Sequence, residues 1–191
     1  MNNTNQLSRI NSNKIRTIDM VMTGMFAALI CVLSPFSIPT QPIPFTLSIF
    51  AIFLTGAVLP PRYSILAVIT YLLIGLCGVP VFSGFGSGPA KLFGPTGGYL
   101  MSYTLMAFIV AMFYKYIKKY KVLALVLGML IALILCYLLG TLWFCHITGN
   151  SFYSALSLCV FPYIPLDLVK LALATSLGLV LRNTVMKSIN N

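Results

Sequence analysis

An acid and a base, Asp167 and Lys170, stand three residues apart in the apolar segment 158–181. This spacing places both side chains on one face of a helix. A charge at membrane depth costs at least about 2.5–3.5 kcal/mol, so such residues are usually paired and functional. The pair therefore predicts a polar floor for a ligand that carries hydrogen-bond donors and acceptors. A structural ion pair that fixes the last helix is the alternative, and the two roles are compatible.

A second candidate is the segment 79–98, which holds six glycines between Gly84 and Gly98. Glycine lets the backbone approach a ligand closely, and the run Gly-Pro-Thr-Gly-Gly at 94–98 begins a predicted helix, whose N-terminus would attract an anion. A tight helix start with close packing is the alternative. The binding residues predicted in this segment are Lys91, Thr96, Gly97, Gly98 and Tyr99.

The segment 34–46 contains four prolines, which make it stiff and non-helical. Because its side chains are mostly apolar or uncharged, we expect either a lid over a small ligand or a simple stiff connector. Pro44 and Phe45 are the candidate lining residues. Trp143, near the end of a later apolar run, is typical of a residue at the membrane interface, and stacking on a ligand is its secondary interpretation.

Several kinds of chemistry are excluded. The chain has two acids and one histidine, and it contains no phosphate-binding loop of the form G-x-x-x-x-G-K-[ST]. No nucleophile–base–acid set or metal cluster can be assembled from so few groups. The chain is therefore not expected to be an enzyme, and we assign it no catalytic residue, no metal and no cofactor.

The elements that must position these residues are apolar helices. The chain is 59% hydrophobic and 7% charged, whereas soluble domains carry about 25% charged residues. The net charge of +10 does not indicate nucleic acid, because the few basic residues lie in short connectors. We expect an all-α integral membrane protein with six transmembrane helices. Their predicted spans are 18–34, 45–60, 63–80, 96–114, 122–145 and 155–182, the last broken by Pro162 and Pro165.

The domain organisation follows from these spans. Residues 1–16 are predicted to be a mobile polar tail, 17–185 a single six-helix membrane domain, and 186–191 a C-terminal tail. With both termini in the cytoplasm, ten of the twelve basic residues face inside, as the positive-inside rule requires. Nine of the eleven prolines then lie on the outer side, which favours a structured cavity there.

Small residues recur on the first predicted helix at Gly24, Ala27 and Ala28. Small residues four apart allow two helices to approach closely. Their spacing fits packing inside the bundle, and it also fits a docking face for a partner helix.

Three landmarks in order resemble the BioY family, the biotin-specific S components of energy-coupling-factor (ECF) transporters. The first is QPIPFTL at 41–47. The second is GAVLPPR at 56–62, followed by GVPVF at 78–82 and GPTGGYL at 94–100. The third is PYIPLDLVK at 162–170. Ser48 and Pro60 depart from the family pattern, which more often has glutamine and glycine there.

The resemblance implies a six-helix S component in the bacterial cytoplasmic membrane that binds biotin at its outer end. Relatives dock on a transmembrane T component served by two ATPase subunits, which hold ATP and magnesium. The resemblance assigns Gly24, Ala27 and Ala28 to that docking. Asp167 would accept from the ureido N–H groups of biotin, and Lys170 would donate to the ureido oxygen or, with the ligand reversed, to the carboxylate. The alternatives are an S component for another vitamin and a stand-alone secondary biotin transporter.

Overall fold

The computed structural model describes residues 17–40, 43–117 and 119–190, with side chains described as far as residue 184. The predicted N-terminal tail lies outside this part of the chain. The elements in chain order are α1 (Thr17–Leu33), β1 (Ser37–Ile38), β2 (Phe45–Thr46), α2 (Ser48–Val58), α3 (Pro61–Leu76), a 3-10 turn (Ser83–Phe85), α4 (Gly88–Leu92), α5 (Gly97–Tyr116), α6 (Lys121–Thr148), α7 (Phe152–Cys159) and α8 (Ile164–Asn190).

Among the described residues, three helices are long and apolar enough to cross a membrane, namely α5, α6 and the part of α8 from Ile164 to Thr184. Helices α1, α2 and α3 are apolar but shorter. The 11 residues of α2 span only about 16 Å at 1.5 Å per residue, roughly half the hydrocarbon thickness. This short helix is buried on all sides from Ala51 to Val58, because α1, α5 and α8 surround it. Its backbone is thus shielded by protein.

Exposed apolar side chains form long stripes on the outer helices. On α6 they recur every three to four residues, and a comparable row follows α8. A continuous apolar surface of this length is unfavourable in water, whereas it matches lipid, so the chain is a membrane protein. The exposed residues on α6 include Leu123, Leu127, Ile131, Ile134, Leu138 and Leu142.

The structure differs from the predicted spans at two places. The span predicted to begin at residue 45 begins at Ser48, because Phe45 and Thr46 pair with β1 in an antiparallel ladder. This two-stranded ladder is a small departure from the all-α prediction. The last predicted span is two helices, α7 and α8, and Pro165 occupies the first turn of α8, where its missing N–H costs nothing.

The predicted boundary at residue 185 does not coincide with a helix end, because α8 continues to Asn190. At the other end of α8, the helical structure is interrupted between Cys159, where α7 ends, and Ile164, where α8 begins. Residues beside this break, strand β2 and the start of α5 line a cavity at one end of the bundle. The candidate site is therefore built where helices begin or end.

Candidate binding site

The predicted acid and base form an ion pair inside the protein. Lys170 Nζ lies 2.8 Å from Asp167 Oδ1, and the two residues are 5% and 1% exposed. They lie on one face of the first turns of α8, as the three-residue spacing predicts. Separating these charges would leave one of them buried without a partner, which costs about 3–5 kcal/mol.

Two other elements complete the hydrogen bonding of the pair. The hydroxyl of Tyr137, on α6, donates to Asp167 Oδ2 at 2.5 Å. Lys170 Nζ donates to the backbone carbonyl of Thr46 at 2.6 Å. The same nitrogen lies over the ring of Phe45, 3.6 Å from the ring centroid. The pair thus joins α8 to α6 and to β2, and its groups present both donors and an acceptor.

The ion pair lines a cavity of about 50 Å³. The polar end consists of Asp167, Lys170 and Tyr137, and the other walls combine aliphatic, aromatic and hydroxyl-bearing side chains. The remaining lining residues are Ile43, Pro44, Phe45, Thr46, Ser48, Ile49, Ser83, Thr96, Tyr99, Leu100, Tyr103, Cys159 and Tyr163.

The loop before α2 closes over this cavity and is held at two points. Tyr163, just before α8, donates through its hydroxyl to the carbonyl of Ile43, and the same hydroxyl lies 2.9 Å from Thr40 Oγ1. The rings of Tyr163 and Phe45 stack at 6.4 Å between centroids. The Lys170–Thr46 hydrogen bond is the second point. Residues 43–46 of the proline-rich segment therefore line the site and do more than connect two helices.

The start of α5 borders the same cavity through Thr96, Tyr99 and Leu100. The hydroxyl of Tyr99 lies 3.1 Å from Thr141 Oγ1 on α6. The predicted residues of the glycine segment are thereby divided, since Thr96 and Tyr99 line the cavity whereas Gly97, Gly98 and Lys91 are absent from its described lining.

Close packing accounts for the two adjacent glycines. A Cβ at Gly97 would lie 1.9 Å from the carbonyl oxygen of Leu92, and a Cβ at Gly98 would lie 2.3 Å from Cβ of Trp143. The indole of Trp143 donates to the carbonyl of Gly94 at 3.0 Å. Trp143 therefore packs behind the start of α5, outside the described cavity lining, so contact between its ring and a ligand stays a prediction, as it does for Gly97 and Gly98.

Lys91 is half-buried at the end of α4. Its stem lies along the backbone of Gly86, where an added Cβ would approach Lys91 Cε to 3.1 Å. A direct contact between Lys91 and a ligand in the cavity stays a prediction.

A model of the BioY family matches residues 4–187, which is nearly the whole chain. The chain belongs to the BioY family. It is 36% identical over 170 residues to the biotin transporter BioY2 of Lactococcus lactis subsp. cremoris, covering 89% of this chain and 92% of that protein. It is 37% identical over 163 residues to the biotin transporter BioY of Thermotoga maritima, covering 85% of this chain and 95% of that protein.

A solved structure has the same fold. The crystal structure of the S-component for biotin from an ECF-type ABC transporter superposes with a TM-score of 0.78 at 25% sequence identity. The match covers 96% of this chain and 95% of the other. The region matched by the BioY family and by this structure thus includes all the residues that line the cavity.

The three residues of α1 that the BioY resemblance assigns to docking do not share one surface. Gly24 and Ala28 are exposed, whereas Ala27 is 2% exposed and packs in a core cluster with Leu54, Val58 and Ala67. A Cβ at Gly24 would meet no atom within 4 Å. An exposed small-residue face therefore contains Gly24 and Ala28, and the structure places Ala27 in internal packing.

Sequence reasoning missed ten of the sixteen residues that line this BioY site, and four of the ten gave some signal in the sequence. Tyr137 is the sole tyrosine of α6, an otherwise largely aliphatic helix. Tyr163 stands between the two prolines that interrupt the last predicted span. Ser48 was noted only as a departure from the family pattern, and Tyr103 lies one turn after the predicted Tyr99. Each lines the cavity.

Within residues 17–40, 43–117 and 119–190, no group of three or more His, Cys, Asp or Glu side chains is placed to hold a metal ion. The arrangement instead offers a carboxylate, an ammonium and hydroxyls in a largely apolar cavity. This combination suits reversible hydrogen bonding to a small polar ligand.

Proposed function

We propose that this chain captures biotin and imports it as the S component of an ECF-type transporter. The observation that carries the proposal is the buried Asp167–Lys170–Tyr137 set lining a covered cavity in a chain of the BioY family. The chain's relatives are named as biotin transporters, and the similar solved structure is an S-component for biotin. The chain is accordingly a transporter component and not an enzyme.

The polar groups of the cavity match the chemistry of biotin. Biotin has a cyclic urea with two N–H donors and one carbonyl acceptor, a thioether ring, and a carboxylate on an aliphatic chain. Asp167 would accept from the ureido N–H groups, and Lys170 would donate to the ureido oxygen. Charge-assisted hydrogen bonds of this kind are strong in a site shielded from water.

The carboxylate of biotin would then point to the start of α5, where Thr96 and Tyr99 border the cavity. A helix N-terminus attracts an anion through its unpaired N–H groups and dipole, and Lys91 adds a positive charge in the same region of the sequence. In the reversed orientation the carboxylate would meet Lys170. Pro44 and Phe45 would cover the ring.

Membrane placement completes the proposal. Six helices, α1, α2, α3, α5, α6 and α8, would cross the bacterial cytoplasmic membrane with both termini inside. The basic residues of the α5–α6 connector and Arg62 support this orientation. A T component would dock on the exposed face of α1 around Gly24 and Ala28, and two ATPase subunits would supply ATP hydrolysis.

The direct test is titration of the purified, detergent-solubilised chain with biotin, with binding measured by calorimetry or by the fluorescence of Trp143. We expect tight one-to-one binding without any partner. Thiamine and riboflavin, added as competitors, should not displace it. Failure of the folded wild-type chain to bind biotin would contradict the proposal, and displacement by another vitamin would identify that vitamin as the substrate.

A further inference from the structure

The end of the bundle opposite the cavity carries two cations on one tyrosine ring. Arg182 Cζ lies 4.1 Å from the centroid of the Tyr114 ring, and Lys121 Nζ lies 4.4 Å from it. Tyr114 is buried, whereas both cations are half-buried. Since Arg182 follows Asp167 by 15 residues on α8, it lies about 22 Å further along the helix axis at 1.5 Å per residue. The cations therefore belong to a different part of the molecule from the cavity.

Both cations contact the C-terminal ends of helices. Arg182 donates through one nitrogen to the carbonyls of Ala57 and Val58, each at 3.0 Å, at the end of α2. Lys121 Nζ donates to the carbonyl of Tyr114 at 3.2 Å, near the end of α5. These carbonyls carry only partial negative charge. A guanidinium has five N–H donors and an ammonium has three, so each cation keeps donors for a further acceptor.

No carboxylate neutralises these two charges by direct pairing. The chain has two acidic residues, Asp19 and Asp167, and the Asp167–Lys170 pair is the one salt bridge among the side chains that the structure describes. Helix α6 begins at Lys121, so the positive end of its dipole adds to the same region. Charges removed from water are normally paired. This end of the bundle therefore has a positive potential that an anion would offset.

Two exposed tyrosines indicate the depth of this region in the membrane. Tyr116, the last residue of α5, is 67% exposed, and Tyr120, just before α6, is 58% exposed. Tyrosines at the ends of membrane-spanning helices are typical of the interface, where the headgroups lie. Lys115 Nζ lies 5.6 Å from the centroid of the Tyr116 ring, and Lys119 Nζ lies 5.4 Å from that of Tyr120. The anion available at this level is the phosphate of a lipid headgroup.

We propose that Arg182 and Lys121 form a binding site for the phosphate of an anionic phospholipid, and that this lipid stabilises the joined ends of α2, α5, α6 and α8. Basic residues between membrane helices recognise anionic headgroups in this way, and a helix N-terminus strengthens the attraction. In the orientation proposed above, the lipid belongs to the inner leaflet. The inference does not depend on the ligand that occupies the cavity.

The experiment measures Tm of the full chain in dodecyl maltoside, by the fluorescence of Trp143, while lipid is added. A lipid that binds the folded chain raises Tm, so we expect phosphatidylglycerol, which is anionic, to raise it by at least about 4 °C. Phosphatidylcholine has the same phosphate but no net charge, and it should raise Tm by less than about 1 °C. Sodium phosphate at the same concentration, added without lipid, should have no larger effect than phosphatidylcholine.

Variants assign the effect to the two cations. Arg182→Gln and Lys121→Gln should each reduce the shift with phosphatidylglycerol to about half or less, measured from the variant's own lipid-free Tm. Arg182→Lys keeps the charge and should keep most of the shift. Lys119→Gln is the matched control, because it removes one charge from the same end but contacts Tyr120 and not Tyr114. Lys121→Gln gives a second reading if Arg182→Gln does not fold.

Four results would overturn the inference. Equal shifts with the two lipids would show that the headgroup charge is not recognised, and an equal shift with sodium phosphate would show that the site takes free phosphate. A full shift in both Arg182→Gln and Lys121→Gln would place the lipid elsewhere. A loss in Lys119→Gln as large as in those variants would indicate a diffuse surface potential instead of a site.

Discussion

Lys170 Nζ donates to the backbone carbonyl of Thr46 at 2.6 Å while it pairs with Asp167. One ammonium therefore binds both the acid of the site and the strand that covers it. An ammonium has three N–H donors, so the third remains for a ligand oxygen beside those given to Asp167 and Thr46. We therefore expect a ligand that binds Lys170 to affect the covering loop through the same side chain.

Removing first one charge and then both charges of the Asp167–Lys170 pair distinguishes the effect on stability from the effect on biotin binding. Asp167→Asn leaves Lys170 charged and buried, so we expect a loss of about 3–5 kcal/mol in stability and at least about 30-fold weaker biotin binding, equivalent to about 2 kcal/mol. The double variant Asp167→Asn/Lys170→Met should regain most of the stability, since no unpaired charge remains. Its biotin affinity should stay low, as measured by calorimetry on folded protein. Wild-type affinity in either variant would contradict the assigned roles.

Tyr137 should contribute to binding through Asp167. Tyr137→Phe removes the 2.5 Å hydrogen bond to Asp167 Oδ2, and a hydrogen bond to a charged group is worth about 1.5–3 kcal/mol. We expect the free energy of unfolding to fall by about this amount, and biotin affinity, measured by titration, to fall because the carboxylate of Asp167 is no longer held by Tyr137. Tyr114→Phe is the control, because Tyr114 contributes its ring to contacts with Lys121 and Arg182 and lies away from the cavity. An unchanged Kd for Tyr137→Phe would exclude this tyrosine from the site.

The sequence predicts local relationships well and long-range ones poorly. Asp167 and Lys170 are one turn apart, so helical geometry alone places them together. Tyr137 meets Asp167 from another helix, 30 residues away, and this contact depends on how α6 and α8 rotate against each other. The break before α8 was predictable from Pro162 and Pro165, because proline has a fixed local effect.

The small residues of α1 illustrate the same limit. Spacing indicated a helix face suited to close approach, but Ala27 and Ala28 are adjacent and therefore point about 100° apart on the helix. One faces the core and the other is exposed. Only the packing of α1 against α2 and α3 determines which of them is available to a partner.

Phe45 should control the rate at which ligand enters and leaves. The cavity of about 50 Å³ has room for only a few waters at about 10–15 Å³ each, so the covering loop must move before biotin can fit. Phe45→Ala removes the ring that lies over Lys170 and stacks on Tyr163. We expect faster association and about tenfold faster dissociation, measured by stopped-flow fluorescence of Trp143. Phe93→Ala, an exposed phenylalanine outside the described lining, is the control, and equal rates for both variants would contradict a covering role for Phe45.

Two glycine substitutions should have opposite effects on stability. Gly98→Ala forces a Cβ to 2.3 Å from Trp143 Cβ, and overpacking of this kind costs about 1–3 kcal/mol. Gly24→Ala meets no atom and should gain up to about 1 kcal/mol from helix propensity. Thermal unfolding of ligand-free protein measures both. If Gly98→Ala kept its Tm and lost biotin affinity, Gly98 would contact the ligand instead of packing against Trp143.

The exposed face of α1 should be required for assembly and not for capture. Gly24→Leu and Ala28→Leu place a bulky side chain on a surface where small residues allow close helix approach. We expect each to reduce co-purification with the T component and ATPase subunits at least fivefold, while biotin Kd stays within about twofold of wild type, because Gly24 and Ala28 lie outside the described cavity lining. Ala172→Leu is the matched control, since Ala172 is an exposed alanine on α8 and should leave assembly unchanged. Equal loss in the control would indicate a general effect of bulk in the membrane, and full assembly of Gly24→Leu and Ala28→Leu would place the docking surface on another helix.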